Sequence, residues 1–166
     1  MRVTNTIILL IAVLAITPAF AQDNTQIQDN MQILAEKLKA DKKFVVAQNM
    51  QLTESEAKGF WPVYESYQKD LQEIDVRLGK LILNYADAFN KGPVPNQTAK
   101  QLLGEMLAVE ESDVSIRRNY VPKLEKVLPA WKVARYIQLE TKIRAIVKYE
   151  LAARVPLVEG ADSPKF

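Results

Sequence analysis

A run of apolar residues at alternating steps of three and four constrains the fold of this chain more than any other feature. The run consists of Ala57, Phe60, Tyr64, Tyr67, Leu71, Ile74, Leu78, Leu81, Tyr85 and Ala88. Apolar residues that repeat in this way form the seam of a coiled coil or of a long helical hairpin. A helix from Glu54 to about Asn90 would be about 55 Å long. We therefore expect an antiparallel helix, a second subunit, or both to flank it.

The start of this helix is marked by the segment Thr53-Glu54-Ser55-Glu56, which has the spacing of a capping box. In such a box the Thr53 hydroxyl accepts a hydrogen bond from the Glu56 amide, and the Glu56 carboxylate accepts one from the Thr53 amide. The acidic residues also lie where the helix dipole favours negative charge. The pattern predicts that the helix begins immediately after Thr53.

Two shorter segments precede the capping box. The first, from Gln26 to Ala40, is a polar stretch that is predicted to form an amphipathic helix. Its narrow apolar stripe consists of Ile27, Met31, Leu34 and Leu38. The second, from Asp41 to Leu52, has an apolar pattern too short for a helix, and we interpret it as an extended crossing segment. This interpretation places Phe44 and Val46 in the core.

Two further helices are expected after a turn at Lys91–Asn96, where Gly92, Pro93 and Pro95 stop the long helix. The next helix can begin at Asn96 or Thr98, and Pro122 should kink or end it. The last helix, from Ala130 to about Arg154, is apolar over more than half of its circumference. It is therefore expected to be central, or to be covered on a second side by a partner. No strand pattern is strong enough to build a sheet, so the expected fold is an all-α hairpin or bundle of four helices, with the long helices antiparallel.

The first 21 residues have the features of a secretory signal peptide: Arg2, an apolar run from Ile7 to Ile16, and small residues at Ala19 and Ala21. A membrane anchor is the alternative, but a span needs about 20 apolar residues. We expect cleavage after Ala21 and a location in the bacterial periplasm. Residues 22–166 would then form a single helical domain, with residues 155–166 as a C-terminal tail.

The chain contains no cysteine and no histidine. This excludes disulfides, thiol nucleophiles, catalytic triads with histidine, and metal sites that depend on either residue. Of 22 basic and 20 acidic residues only Arg2 lies in the signal, so the mature chain has a net charge of +1. A nearly neutral chain has no general attraction for nucleic acid. We expect no enzymatic activity, no cofactor, no bound metal, no nucleic-acid partner and no small-molecule substrate.

Aromatic residues of the long helix are the candidate binding surface, because their rings combine a large apolar area with polar tips. They are Phe60, Trp61, Tyr64, Tyr67 and Tyr85. For any single ring, packing in the core is the favoured alternative. Tyr64 and Tyr67 are the more promising exceptions, since a seam tyrosine can be partly exposed.

Carboxylates of the last two helices are the other candidates. An acidic cluster on the third helix consists of Glu105, Glu110, Glu111 and Asp113, and a solvated face explains it better than a bound cation. On the last helix, Glu140 points toward the apolar side, and a carboxylate in that position needs a partner. Arg117 or Arg118 is the expected partner, which predicts a buried ion pair between Glu140 and Arg117. A catalytic role for Glu140 is the alternative.

The order of these features resembles that of a known family. A signal peptide, an all-helical mature chain and the segment Leu52-Thr53-Glu54-Ser55-Glu56 at the start of a long helix resemble the LTXXQ-motif (Spy/CpxP-like) superfamily of bacterial periplasmic proteins. Leu128-Pro129-Ala130-Trp131-Lys132 lies where that family repeats its motif. The resemblance spans most of the mature chain.

This resemblance implies a hooked or cradle-like protein of four helices that dimerises through its long helices. It also implies an ATP-independent chaperone, an adaptor that restrains an envelope-stress sensor, or a metal-responsive sensor, and the missing histidines disfavour the last role. We expect a non-enzymatic homodimeric binding protein, chaperone-like or regulatory in the envelope stress response, that acts on unfolded or envelope proteins. The alternative is a structural or adaptor protein with one specific envelope partner, such as a membrane sensor kinase.

Overall fold

The computed structural model describes residues 40–160, and these residues contain four helices. Helix α1 covers residues 40–50, α2 spans Glu54–Asn90, α3 spans Asn96–Glu125 and α4 spans Ala130–Arg154. No residue between 40 and 160 lies in a strand, so the all-α prediction is confirmed. The predicted signal peptide, and the predicted amphipathic helix up to residue 39, lie outside the described residues.

Helix α2 has the bounds and the cap that the sequence predicts. The Glu56 amide donates to Thr53 Oγ1 at 3.3 Å, and the Thr53 amide donates to Glu56 Oε2 at 2.8 Å. The seam then faces the inside of the molecule along most of the helix. Its buried members are Phe60, Tyr64, Tyr67, Leu71, Ile74, Leu81 and Tyr85.

The expected antiparallel neighbour of α2 is α3. The Tyr67 and Tyr120 rings are 4.9 Å apart near one end of the pair, and Arg77 Nε lies 2.5 Å from Glu105 Oε1 further along. The residue number rises along α2 while it falls along α3, which defines an antiparallel hairpin. Pro122, which was expected to kink or end α3, does not end it, because the helix continues to Glu125. Tyr120 and Leu124 are buried on either side of Pro122, and their packing compensates for the one amide donor that proline removes.

Residues 40–50 are helical, so the prediction of an extended crossing segment is wrong. Val46 and Met50 are almost fully buried, whereas Phe44 is 61% exposed. In a helix, residues four apart share a face, while residues two apart point in nearly opposite directions. Met50 therefore joins Val46 in the core, and Phe44 points away from it.

Helix α4 runs parallel to α2, and only its first half lies in the core. Gln68 Nε2 donates to Glu140 Oε1 at 3.0 Å, Arg144 Nη1 donates to Asp75 Oδ1 at 3.3 Å, and Tyr85 Oη donates to the Pro156 carbonyl at 2.9 Å. The two helices thus keep one register over their shared length. The buried residues of α4 end at Glu140, so the expectation of a fully central helix holds only for its N-terminal part.

Candidate binding groove between helices α2 and α4

The aromatic residues that were expected to form a binding surface are in the core. Phe60, Tyr64, Tyr67 and Tyr85 are all buried, so the predicted surface is wrong for these four residues. Phe60 packs edge-on against Tyr136 of α4 with ring centroids 5.0 Å apart, a geometry that aromatic pairs favour.

Trp61 is the member of that set that is only partly buried. Its ring lies 5.0 Å from the Phe60 ring, and Lys43 Nζ of α1 lies 5.1 Å from its centroid. Trp61 therefore lies beside the contact between α1 and α2.

Burial raises the pKa of the core tyrosines above its ordinary value of about 10. Desolvation raises the pKa of Tyr67 to about 12, and desolvation, with the nearby Glu140 charge as a second cause, also raises the pKa of Tyr136. The Tyr64 hydroxyl forms no hydrogen bond with the described residues, and the Tyr67 hydroxyl lies close to the Arg117 side chain. Tyr64 and Tyr67 therefore contribute mainly through packing, whereas the Tyr136 hydroxyl donates a hydrogen bond to Glu140.

Glu140 is fully buried, as predicted, but its partner is not Arg117. Glu140 Oε1 accepts hydrogen bonds from Tyr136 Oη and Gln68 Nε2, both at 3.0 Å. Its other oxygen lies 2.8 Å from Lys42 Nζ of α1. Lys42 is one turn before Val46 and shares its face, a position that is evident only once residues 40–50 are helical. The cluster ties α1, α2 and α4 together.

Arg117 instead binds Asp113, at 3.0 Å. Asp113 is buried rather than solvated, and Arg144 Nε of α4 lies 3.1 Å from its Oδ1. The expectation of a solvated acidic face is therefore wrong for Asp113, whereas Glu110 and Glu111 are exposed. Within residues 40–160, no group of three histidine, cysteine or acidic side chains is placed to hold a metal ion.

A second buried cation, Lys132, was not foreseen from the sequence. Its Nζ atom lies 2.6 Å from Glu56 Oε2 and 3.0 Å from the Gln51 carbonyl. The hydrogen bond from Lys132 is the main reason why the pKa of Glu56 is lowered. The capping box of α2 is thereby joined to the first turn of α4.

Helix α1 lies between α2 and α4 and contacts both of them. Lys43 Nζ reaches Glu65 on α2 at 2.5 Å, and Arg135 Nε on α4 donates to the Asn49 carbonyl at 2.7 Å. Lys42 lies level with Gln68 on α2 and Glu140 on α4, so α1 is antiparallel to both helices. Beyond this level α2 and α4 continue side by side.

The faces of α2 and α4 that contact α1 carry exposed apolar side chains beyond the level of Lys42. Val76 and Leu83 are 11 and 18 residues after Glu65, which is about three and five turns on the same face of α2. They are 52% and 61% exposed. On α4, Ile146 is likewise 11 residues after Arg135, on the face that meets α1, and is 38% exposed.

We call this region the α2–α4 groove, and its residues are Val76, Gly79, Leu83, Ile146 and Val147. Gly79 lies between the two apolar residues of α2, and a Cβ atom added there would meet no other atom within 4 Å. The Asp75–Arg144 contact places Val76 at the level of Ile146 and Val147. None of these residues was predicted to be part of a site. The spacing on α2, 11 residues from Glu65 to Val76 and 7 from Val76 to Leu83, is a sequence signal that could have identified them.

A second apolar surface lies on the outer face of α3. It consists of Leu103, Met106, Leu107 and Val114, each about half exposed. These residues recur at helical spacing on the side of α3 that faces away from α2. The described part of the chain thus has two separate apolar surfaces, the α2–α4 groove and this outer face.

No family model matches the chain, and no curated protein or solved structure shows significant similarity to it. Among residues 40–160, no helix is long and apolar enough to cross a membrane.

Proposed function

We propose that this chain is a non-enzymatic periplasmic binding protein, chaperone-like or regulatory in the envelope stress response. It holds apolar segments of other polypeptides in the α2–α4 groove. The observation that carries the proposal is the pair of facing helices with exposed Val76 and Leu83 on one and Ile146 on the other. Exposed apolar surface of this kind commonly marks a protein-binding site.

The dimensions of the groove suit a single helix or extended segment. Helix α1 packs against both α2 and α4, so a single helix fits against the two of them at that level. Val76 and Leu83 are seven residues apart, about 10 Å along the helix axis. Burial of their side chains would contribute roughly 25 cal/mol per Å² of apolar area. Lys80, between Val76 and Leu83, and Lys142, one turn before Ile146, are exposed as well.

The arrangement of the buried carboxylates supports a non-enzymatic role. Glu140 is enclosed by Lys42, Gln68 and Tyr136, and Asp113 is enclosed by Arg117 and Arg144. Each carboxylate is held by its neighbours in the interior, and neither faces a cleft that a substrate could enter. The α2–α4 groove therefore offers recognition through its shape and its apolar area.

Replacing Leu83 tests the proposed site. Purified mature protein, at stoichiometric amounts, should slow the aggregation of a reduced or heat-stressed client, measured by light scattering. Leu83→Ser should reduce this effect at least roughly threefold, because it removes exposed apolar area from the groove. Phe44→Ser is the matched control, since Phe44 is also 61% exposed but points away from the core on α1. Equal loss in both variants, or no effect of the unaltered protein on several clients, contradicts the proposal.

The alternative is an adaptor with one specific envelope partner, such as a membrane sensor. The same groove would then receive one defined segment of that partner. A pull-down from envelope extracts that recovers one membrane protein, lost with Leu83→Ser and retained with Phe44→Ser, favours the adaptor if general protection from aggregation is absent.

The outer face of α3 suits a homodimer, because its charges are symmetric about Val114. Glu110 and Glu111 lie four and three residues before Val114, and Arg117 and Arg118 lie three and four residues after it. In an antiparallel pair of α3 helices centred on Val114, the exposed Glu110 of each copy lies opposite the exposed Arg118 of the other, whereas Arg117 is held by Asp113 of its own chain. Opposite charges that meet in this way fix the register of paired helices.

Charge reversal tests the dimer. Sedimentation of the unaltered protein at tens of micromolar should show a dimer, and Arg118→Glu should shift it toward monomer. Adding Glu110→Arg should restore the dimer, because the reversed charges again lie opposite each other. A compact monomer of the unaltered protein removes the dimer proposal and leaves the α2–α4 groove unaffected.

A further inference from the structure

We propose that the side of α4 that faces away from the core binds an anionic lipid surface, with the helix lying parallel to the plane of the bilayer. We call this side the outer face of α4, and its residues are Trp131, Arg135, Gln138, Lys142, Ala145 and Tyr149. Lipid binding at this face does not depend on the proposed function of the α2–α4 groove.

The residues of the outer face are all exposed and recur at helical spacing. Their positions are separated by alternating steps of four and three, so they form one line along the helix. The buried residues Val133, Tyr136 and Glu140 lie on the opposite side of α4. The outer face can therefore meet a flat surface while the core remains closed.

The exposed charge of this face is positive. The part of α4 that precedes Glu150 contains a single carboxylate, Glu140, and that carboxylate is fully buried. Lys142 is exposed, and Arg135, at the edge beside α1, donates from Nε to a neutral partner, the Asn49 carbonyl. Salt limits electrostatic attraction to about 8 Å at physiological ionic strength, so this local charge matters more than the small net charge of the chain.

Aromatic rings lie at both ends of the face. Trp131 and Tyr149 are 62% and 72% exposed and are 18 residues apart, which is about 27 Å along the helix axis. Lys132 Nζ, which is paired with Glu56, lies 5.3 Å from the centroid of the Trp131 ring. This cation–π contact restrains the ring in its exposed position.

Basic and aromatic residues on one exposed helix face are the combination that binds anionic membranes in the plane of the bilayer. The charged groups of Lys142 and Arg135 attract lipid phosphates, while their carbon stems cover apolar surface. The rings of Trp131 and Tyr149 suit the headgroup level, where an apolar ring and its polar tip are both accommodated. The face is one convex side of a single helix with no groove to enclose a polypeptide, so a lipid surface fits it better than an acidic protein segment does.

Sedimentation with sucrose-loaded vesicles tests this binding in the protein without its predicted signal peptide. We expect the protein to bind vesicles that contain phosphatidylglycerol at least roughly tenfold more strongly than vesicles of phosphatidylcholine alone, and to be released by high salt. Lys142→Glu should weaken this binding at least about fivefold, because the reversed charge faces the anionic surface. Lys100→Glu is the matched control, since Lys100 is also exposed but lies on α3.

Tryptophan fluorescence identifies the face that binds. Trp61→Phe leaves Trp131 as the sole tryptophan of the chain. Its emission should shift to shorter wavelength when phosphatidylglycerol vesicles are added, because the exposed ring then leaves water.

Absence of binding to the phosphatidylglycerol vesicles, or binding without a shift of the Trp131 emission, overturns the proposal. Equal losses with Lys142→Glu and Lys100→Glu also overturn it, because binding would then follow net charge and not this face. Binding of soluble polyglutamate that is lost with Lys142→Glu, without binding to vesicles, would assign the face to an acidic protein segment instead. Leu83→Ser, which tests the α2–α4 groove, should leave vesicle binding unchanged, so failure of this proposal and failure of the proposed function are distinguishable.

Discussion

Lys42 and Glu140 form the contact that fixes α1 most directly. The carboxylate is fully buried, and Lys42 Nζ, only partly exposed, is the cation beside it at 2.8 Å. Lys43, the next residue, pairs with Glu65 at the surface, where both side chains are well exposed. Two neighbouring lysines therefore make ion pairs that differ mainly in how much water surrounds them. Desolvation makes the loss of one partner costly inside a protein and nearly neutral at its surface.

Lys42→Met should lower the free energy of unfolding by about 2–3 kcal/mol, because it leaves Glu140 buried beside no cation. Lys43→Met should lower it by less than about 1 kcal/mol. Adding Glu140→Gln to Lys42→Met should recover part of the loss, since the amide oxygen still accepts from Tyr136 and Gln68. Urea denaturation followed by circular dichroism measures all three variants. Equal losses for the two lysine variants would show that Lys42 does not compensate the buried charge.

At the scale of the helices, local sequence explains α2 better than α1. The bounds of α2 follow from a long 3.5-residue repeat and a capping box, two signals that agree. In α1 the run Phe44-Val45-Val46 contains two β-branched residues, which favour strands, and only Val46 and Met50 mark the buried face. A helix with so short an apolar stripe is stabilised mainly by its packing against α2 and α4. That packing is a tertiary interaction, which the local sequence does not reveal.

The same distinction separates the candidate sites. The aromatic seam, predicted as a candidate binding surface, is mostly buried, because amphipathic spacing cannot say whether a seam faces solvent or another helix. The presence of Tyr136 against Phe60 decides this, and it depends on how α4 packs. Glu140 was correctly placed on an apolar side, whereas its partner depended on α1.

Two glycines of α2 predict opposite effects of the same substitution. A Cβ atom on Gly59 would lie 2.9 Å from Val127 side-chain atoms in the α3–α4 connection, so Gly59→Ala should cost about 1–3 kcal/mol. Gly79 has open space around it, so Gly79→Ala should gain about 0.5–1 kcal/mol from helix propensity alone. Thermal unfolding of both variants checks the prediction. A stabilising Gly59→Ala would mean that α2 and this connection are further apart than described.

At the scale of the whole molecule, the α2–α3 hairpin and the α1–α4 contacts differ in their sequence separation. Tyr67 and Tyr120 join helices that follow one another, whereas Lys42 and Glu140 are 98 positions apart. Helix α1 also has few buried side chains, chiefly Val46 and Met50. Elements with few buried contacts open locally before the rest of a protein unfolds.

Native-state hydrogen exchange should therefore show α1 exchanging at lower denaturant concentration than the buried part of α2. The expected difference in opening free energy is at least about 1–2 kcal/mol. Mass spectrometry of peptic fragments that cover residues 40–50 and the region around Tyr67 gives both values in one experiment. Identical opening free energies in the two regions would indicate that the helices unfold as one cooperative unit.

The position of α1 between α2 and α4 has a consequence for folding during synthesis. Synthesis proceeds from the N-terminus, so Lys42, Val46 and Met50 emerge long before the residues that receive them on α4. Until Glu140 has been synthesised, α1 lacks its contacts with α4 and must remain undocked while the α2–α3 hairpin forms. Helix α1 is thus synthesised before the other three helices but is enclosed last, and a chain interrupted before α4 would leave the aromatic seam uncovered where Tyr136 packs against Phe60.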